Sequence, residues 1–170
     1  FAYDAATKSV GAPTTVVDPA GAAFAYYPSI SPDNGWVLYN QATGGTSYDN
    51  PNAELWIKKL DGSGEPIHLT QADAPSTTYN SWPKWTPFAG AEPTLEGATE
   101  PVMWFTVSSR RAFGVRSTLL QPPQLWLVPF YPERAAAGQP ASAPPIRLPF
   151  QALGQGNHIA QWTEQIVGVN

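Results

Sequence analysis

The stretch Tyr27-Pro28-Ser29-Ile30-Ser31-Pro32-Asp33-Asn34-Gly35-Trp36-Val37-Leu38-Tyr39 places a turn directly before a strand. Pro32 presets the backbone φ of the turn, Asp33 caps nearby amides, and Asn34-Gly35 supplies positive φ angles. The four residues that follow are aromatic, β-branched or aliphatic, which is the composition of a strand. Successive side chains of a strand alternate between its faces, and here both faces are apolar. The sequence therefore predicts a strand that is covered on both sides.

The next segment repeats this design. A strand pattern from Leu55 to Leu60 leads into the turn Asp61-Gly62-Ser63-Gly64, and Ile67-His68-Leu69 follows as a short return strand. Further apolar bursts of strand length occur at Thr15–Val17, Ala23–Tyr27, Val102–Val107, Gln124–Phe130, Ile146–Leu148 and Ile159–Trp162. None of them keeps a helical period over three turns, and only Pro132–Gly138 suits a single helical turn. The fold class predicted is all-β.

The same landmarks recur in order along the chain. A second copy opens with Trp82-Pro83-Lys84-Trp85-Thr86-Pro87 and a third opens at His158-Ile159-Ala160-Gln161-Trp162-Thr163. The second copy is longer because of two insertions, at 88–101 and 131–144, which are rich in Ala, Gly, Pro and Glu. Both fall at turn positions, where a four-stranded unit tolerates growth, and both are expected to be loops.

These residues resemble the TolB-type β-propeller repeat, which reads approximately P-x-W-S-P-D-G, an apolar strand, L-W-x-x-x-x-D-G-x-G, and a short strand ending in L-T. The first copy matches nearly throughout, with Ile30 in place of the usual Trp. The second copy keeps Pro83, Trp85, Pro87, Leu125 and Trp126 but lacks the Asp-Gly turns, and the third keeps Trp162. The resemblance covers about 27–163. It implies β-propeller blades of four antiparallel strands, about two full blades plus partial blades at both ends.

The repeat divides the chain into four parts. The resemblance implies that residues 1–26 are the outer strands of a preceding blade, 27–79 one blade, 80–156 a blade with long inserted loops, and 157–170 the start of a following blade or a closing strand. Two blades alone would leave strand edges and apolar faces open. We therefore expect a segment of a longer propeller, or a chain that completes its propeller with a partner. A first residue that is Phe rather than Met agrees with a processed product or a fragment.

The amino-acid composition of the chain argues against several kinds of site and partner. The 170 residues contain no Cys, so disulfides, thiolate metal sites and a Cys nucleophile are excluded. Nine Lys plus Arg and a net charge of −4 argue against a nucleic-acid partner, which requires a basic surface. No apolar run approaches the roughly 20 residues of a transmembrane helix.

The chain carries no recognisable catalytic, metal or cofactor motif. His68 and His158 lack metal-ligand spacing and are expected to be structural, and no nucleophile elbow or phosphate-binding loop is present. Asp33 and Asp61 are expected to bond backbone amides. The oxygen-rich segment 49–54 is a polar loop or, alternatively, a Ca²⁺ site. Glu92, Glu96 and Glu100 in the first insertion are expected to be solvated, and five tryptophans are expected in the blade core: Trp82, Trp85, Trp104, Trp126 and Trp162.

One basic cluster follows the second copy's central strand. Arg110, Arg111 and Arg116, with Phe113 among them, are the candidate partner-binding residues, since arginine and aromatic side chains are enriched in interface hot spots. A solvated loop is the alternative for this cluster. The inserted segments 88–101 and 131–145 are further contact candidates.

The resemblance implies a non-catalytic role in protein binding or assembly, within a larger bacterial periplasmic or cell-surface protein or complex. The partner would be another protein or the remainder of the propeller. Two alternatives remain open: an accessory propeller of a peptidase or other hydrolase whose catalytic domain lies elsewhere, and a carbohydrate-binding propeller that uses exposed aromatic side chains. Fold alone does not choose among them.

Overall fold

Antiparallel strands dominate the computed structural model, which describes residues 1–19, 21, 23–94, 97–113 and 122–163. The strands are β1 (Tyr3–Asp4), β2 (Ser9–Val10), β3 (Ala23–Ile30), β4 (Trp36–Thr43), β5 (Glu54–Lys59), β6 (Ile67–His68), β7 (Ser81–Pro93), β8 (Thr99–Ser109), β9 (Gln124–Phe130) and β10 (Ile146–Arg147). Two short helices accompany them in these ranges, α1 (Thr70–Asp73) and α2 (Pro132–Ala136). The all-β prediction is confirmed.

The described strands form two four-stranded antiparallel meanders and one small hairpin. The first sheet has the order β3-β4-β5-β6, the second has the order β7-β8-β9-β10, and β1 pairs only with β2. Each sheet follows chain order, as a repeat of one supersecondary unit requires. Strand β3 begins at Ala23, and its residues 23–26 pair with β4. The sequence-based boundary at residue 27 assigns these four residues to the preceding unit.

Local turn chemistry shapes the connections. Asp33 Oδ1 accepts hydrogen bonds from the Gly35 amide (2.9 Å) and the Ser31 hydroxyl (2.5 Å). Asp61 Oδ1 accepts one from the Ser63 amide at 2.8 Å. The expected role of both aspartates is confirmed. Each carboxylate satisfies an amide that the turn takes out of the strand ladder.

The first insertion is not a loop. Residues 89–93 of β7 pair with residues 99–103 of β8, so most of 88–101 lengthens a hairpin. The loop prediction was wrong because Gly and Pro are compatible with an edge strand whose outer groups need no ladder partner. The second insertion contains the expected helical turn, α2, which starts at Pro132.

Two expected strands are not present in the described residues. Thr15–Val17 and Ile159–Trp162 have no regular secondary structure. The latter segment instead lies against β8, where the Ile159 amide donates to Ser108 Oγ (3.3 Å) and the Trp162 indole N–H donates to Thr106 Oγ1 (3.4 Å). The third copy thus contacts the second sheet through side chains rather than through a strand ladder.

The two sheets pack face to face over a shared apolar core. Leu38 and Leu55 of the first sheet and Phe105 of the second are fully buried members of one hydrophobic cluster. Between the sheets, the Trp36 ring of β4 meets the Phe130 ring of β9 edge-on, with centroids 5.2 Å apart. Burial of each such side chain contributes about 1.5–3 kcal/mol, so this junction fixes how the sheets meet.

The expected tryptophans divide into two groups. Trp85 and Trp126 are buried in the core, as predicted. Trp82, Trp104 and Trp162 are half-buried, and Trp82 stacks on Tyr27 with ring centroids 3.8 Å apart.

Among the described residues, no helix has the length and apolarity that a membrane crossing requires.

Candidate functional site

The connections between strands lie at two opposite ends of the sheets. We call one the Arg110 end; it contains connections 44–53 and 69–80 and residues 110–113. We call the other the insertion end; it contains the β7–β8 hairpin tip and the β9–β10 connection, residues 131–145. The two regions singled out by the sequence, the arginine cluster and the insertions, therefore lie at opposite ends of β8.

Arg110 joins connections at its end and keeps part of its side chain exposed. Its Nε lies 2.6 Å from Asp49 Oδ1, and Nη2 donates to Asp49 Oδ2 at 3.2 Å. Its amide donates to the Thr78 carbonyl at 2.9 Å. The side chain is 27% exposed. Of the two described arginines in the expected set, Arg110 is thus the one that presents charge at the surface.

Arg111 points into the protein and is buried, with 6% of its surface exposed. Nη2 donates to the Ala72 carbonyl (2.7 Å) and Asn80 Oδ1 (2.9 Å), Nη1 to the Ala74 carbonyl (3.3 Å), and Nε to Ser109 Oγ (3.1 Å). Burial lowers its pKa to about 10, so the guanidinium remains charged at neutral pH. With every guanidinium nitrogen bonded internally, Arg111 holds the Arg110 end together instead of facing outward.

Of the two remaining cluster residues, Phe113 packs against the second sheet and Arg116 lies outside the described ranges. Phe113 is half-buried and packs edge-on against Trp126, with centroids 5.8 Å apart, and the Arg147 guanidinium lies 4.4 Å from its ring. Arg116 lies outside the described residues. A basic and aromatic pattern does not separate an exposed arginine from a buried one, which is why the sequence grouped Arg110 with Arg111.

A cleft of about 330 Å³ opens at the Arg110 end. It lies on the outer face of the first sheet, the face away from the second sheet, because Trp56 and His68 are cross-strand partners there while Leu55 and Ile57 point into the core. The cleft is lined by Pro51, Asn52, Ala53, Glu54, His68, Thr70, Asp73, Ala74, Pro75, Ser76, Thr77 and Thr78.

Asp73 lines the cleft, and its carboxylate is held in place by hydrogen bonds. Its Oδ2 lies 2.8 Å from His68 Nε2 and accepts the Leu55 amide at 2.7 Å. Its Oδ1 accepts from Asn80 Nδ2 at 2.6 Å. Three donors therefore hold one carboxylate at the end of α1. Asp73 was not predicted as a site residue, and its only local signal is its position five residues after His68 in a Thr-Gln-Ala-Asp helical turn.

His68 forms a structural hydrogen bond with Asp73 and also lines the cleft. Its ring stacks on Trp56, with centroids 4.9 Å apart and planes 12° apart, and its side chain is 28% exposed. The hydrogen bond to Asp73 raises the pKa of His68 above its usual value, against the opposing effect of burial. Because Nε2 contacts Asp73, Nδ1 is the ring nitrogen that the pair leaves for other contacts.

The cleft wall is tied to the second sheet. Asn80 links Asp73 to Arg111, and Arg111 also binds the carbonyls of Ala72 and Ala74 behind the cleft. A continuous series of hydrogen bonds thus extends from the outer face of the first sheet to the core of the second sheet, through His68, Asp73, Asn80 and Arg111. Such a continuous polar network holds its members in one arrangement.

At the insertion end, the two insertions are joined by an ion pair. Arg134 of α2 binds Glu100 of β8 through both carboxylate oxygens, with Nε–Oε2 at 2.9 Å, and lies 3.9 Å from the Tyr131 ring. The Glu100 side chain is only 15% exposed, so the prediction of a solvated carboxylate was wrong. The extended hairpin is the reason, because it places Glu100 on a strand beside α2. Glu96 lies outside the described residues.

Metal-binding groups are not clustered in the part of the chain that the structure describes: no group of three or more His, Asp or Glu side chains is close enough to hold an ion. Within the segment 49–54, Asp49 pairs with Arg110, and Glu54 Oε2 accepts the Trp56 indole N–H at 3.0 Å.

Comparisons of the chain with protein-family models, with curated proteins and with solved structures found no match. The class supported by the fold is therefore an all-β protein of two packed antiparallel meanders.

Proposed function

We propose that this chain is a non-catalytic segment of a β-propeller that serves protein binding and assembly. The observation that carries the proposal is the repeated docking of one tryptophan on the preceding sheet. Trp85, from the opening of the second copy, donates its indole N–H to the Ser29 carbonyl of β3 at 3.0 Å. Trp162, from the opening of the third, donates to Thr106 of β8. A recurring residue that contacts the preceding sheet in both copies supports the successive packing of sheets, as in the blades of a propeller.

The first copy carries Ile30 where the second carries Trp85. Ile30 pairs with Val37 and is on the outer face of the first sheet, where it is 54% exposed. By the same logic, a further sheet would pack on this face, supplied by the remainder of the propeller or by a partner protein. Such a sheet would bury an apolar side chain that is otherwise in water.

The sheet ends offer the surfaces for binding a protein. The insertion end is a joined unit of hairpin and helix rather than two free loops, and Arg110 presents a partly exposed charge at the other end. A preformed surface binds with a small ordering cost. A bacterial periplasmic or cell-surface location belongs to the same proposal, and it rests on the resemblance of the turn and strand motifs.

Association of the purified chain tests the proposal. We expect concentration-dependent association in light scattering, or a broad unfolding transition in urea, because Ile30 is exposed on the outer face of the first sheet. Ile30→Glu should reduce the association. Ile146→Glu is a matched control, since Ile146 is 55% exposed but lies on β10, and it should leave association unchanged. A chain that stays monomeric and unfolds in one cooperative transition would overturn the proposal.

A further inference from the structure

We propose that the cleft on the outer face of the first sheet binds a ligand that carries a primary ammonium group. This site goes beyond the assembly role and does not depend on it. Among the residues that the structure describes, its ionisable lining groups are Glu54, Asp73 and His68, with neither Lys nor Arg. With His68 neutral, the lining carries two negative charges, which favours a cation over an anion or a neutral molecule.

Arg111 and Arg110 do not line the cleft, although the charge of Arg111 interacts with Asp73 from behind the wall. Arg111 is buried, and its donors are directed at the carbonyls of Ala72 and Ala74, at Asn80 and at Ser109. Arg110 is paired with Asp49. Neither guanidinium is a lining group of the cleft. A ligand entering from solvent would therefore meet carboxylates, an imidazole and hydroxyl groups.

An ammonium group has three donors and needs acceptors. Glu54 uses Oε2 to bind the Trp56 indole N–H, so Oε1 is its second acceptor. His68 uses Nε2 for Asp73, and neutral His68 therefore presents Nδ1 as an acceptor. The two side chains flank Trp56 on the same sheet face, since Glu54 is two residues before Trp56 on β5 and His68 is its cross-strand partner. The hydroxyl of Thr70 lies in the same lining.

The cleft is built before a ligand arrives. Asp73 is held by three donors, the His68 ring is stacked on Trp56, and Arg111 fixes the backbone of 72–74 from behind. Side chains that are already ordered lose little entropy when a ligand binds. The volume of about 330 Å³ admits a short alkylammonium or a lysine side chain. Both sources carry the same ammonium chemistry.

Binding should strengthen as the pH rises through the pKa of His68. Protonation adds a positive charge beside the ligand and converts Nδ1 from an acceptor into a donor. The charged groups that face His68 are Asp73 of α1 and Glu54 of β5, and both raise its pKa. An anionic ligand would show the opposite dependence, so the pH profile distinguishes the two classes.

Titration with n-butylammonium chloride, followed by two-dimensional NMR of the intact chain at pH 8, tests the site. We expect saturable shifts at Glu54, His68 and Thr70, and weaker binding at pH 5.5. The probes n-butanol and inorganic phosphate should not produce these shifts. Comparable binding of n-butanol, saturable binding of phosphate at this site, or no saturable shift with the amine would each overturn the proposal.

Glu54→Gln tests the residue itself. The amide keeps an oxygen acceptor for the Trp56 indole but removes the charge, so affinity should fall by about tenfold, the loss of one charge-assisted hydrogen bond. Glu92→Gln at the insertion end is the matched control and should bind as the original chain does. Unchanged affinity in Glu54→Gln would overturn the proposal. Failure here leaves the association experiment on Ile30 unaffected, so the two proposals fail separately.

An acetylated and amidated Gly-Lys-Gly peptide, compared with Gly-Gly-Gly, distinguishes the two sources. Shifts with the lysine peptide support a protein-borne ammonium, and shifts with butylammonium alone support a free amine. Each of these outcomes supports the ammonium site, whereas equal shifts with Gly-Gly-Gly would contradict it.

Discussion

Arg111 donates to Asn80 Oδ1 at 2.9 Å, and through this bond the end of β8 holds the segment that leads into β7. Asn80 in turn binds Asp73 and accepts, through its carbonyl, the side-chain amide of Asn40. Buried polar groups are costly unless they are paired, and the side chains of Arg111, Asn80 and Asp73 are linked in series by hydrogen bonds. The Arg110 end is therefore ordered by polar contacts, whereas the middle of the sheets is ordered by apolar packing.

Arg111→Ala should lower the free energy of unfolding by about 2–4 kcal/mol, because it leaves Asn80 Oδ1 without its donor and removes the shorter of the two hydrogen bonds to the Ala72 carbonyl. Arg110→Ala is the neighbouring control. It removes a partly exposed ion pair and should cost about 1 kcal/mol or less. Urea unfolding of the two variants measures both values. Equal losses would contradict the internal role assigned to Arg111.

His68 should make stability depend on pH. The pKa of His68 is raised in the folded chain by its bond to Asp73, so the folded state binds more protons than the unfolded state around that pKa. The stabilisation is fully present below the unfolded pKa of about 6.5 and is lost as the pH rises through the folded value.

Urea unfolding at intervals between pH 5 and pH 9 measures this effect. The original chain should lose stability with rising pH over that window, and His68→Gln should lose this part of the dependence. His158→Gln is the matched control and should keep the dependence, because His68 and Asp73 remain in place. Identical pH profiles for the two histidine variants would contradict the assignment.

Local patterns predicted much of the sheet architecture. The turn at Asp33 and the turn at Asp61 are determined by residues within a few positions of one another, and the structure confirms both. The order of strands in the two meanders follows from the repeated landmarks. Such features can be predicted from the sequence because the residues that determine them lie in one short stretch of chain.

Features that depend on contacts between residues far apart in the sequence could not be predicted from the sequence. The extended hairpin has the composition of a loop, and only pairing with β8 makes residues 89–93 a strand. Arg111 resembles its exposed neighbour until Ala72 and Asn80 come close to it, from 31 to 39 positions away in the chain. Asp73 gains its importance from Leu55 and Asn80 in the same way.

The ion pair between Arg134 and Glu100 should couple the two insertions. Because Glu100 is mostly buried and Arg134 is 38% exposed, we expect a coupling energy of about 1 kcal/mol in a double-mutant cycle of Arg134→Ala and Glu100→Gln. Unfolding in urea at low and at high salt measures it. Strictly additive effects of the two changes would show that helix α2 and the hairpin are held together by packing alone.

Trp85 and Trp162 open successive copies, and their replacement by Phe should have unequal effects. Trp85→Phe removes the N–H bonded to the Ser29 carbonyl at 3.0 Å and leaves space in a buried junction, so we expect a loss of about 1–3 kcal/mol. Trp162 is half-buried and its N–H lies 3.4 Å from Thr106 Oγ1, so Trp162→Phe should cost about 0.5 kcal/mol. Urea unfolding of both variants gives the two values. If the remainder of a propeller packs beside the third copy as well as on the Ile30 face, adding that partner should increase the cost of Trp162→Phe toward that of Trp85→Phe. A cost that stays small with the partner bound would place Trp162 outside the assembled interface.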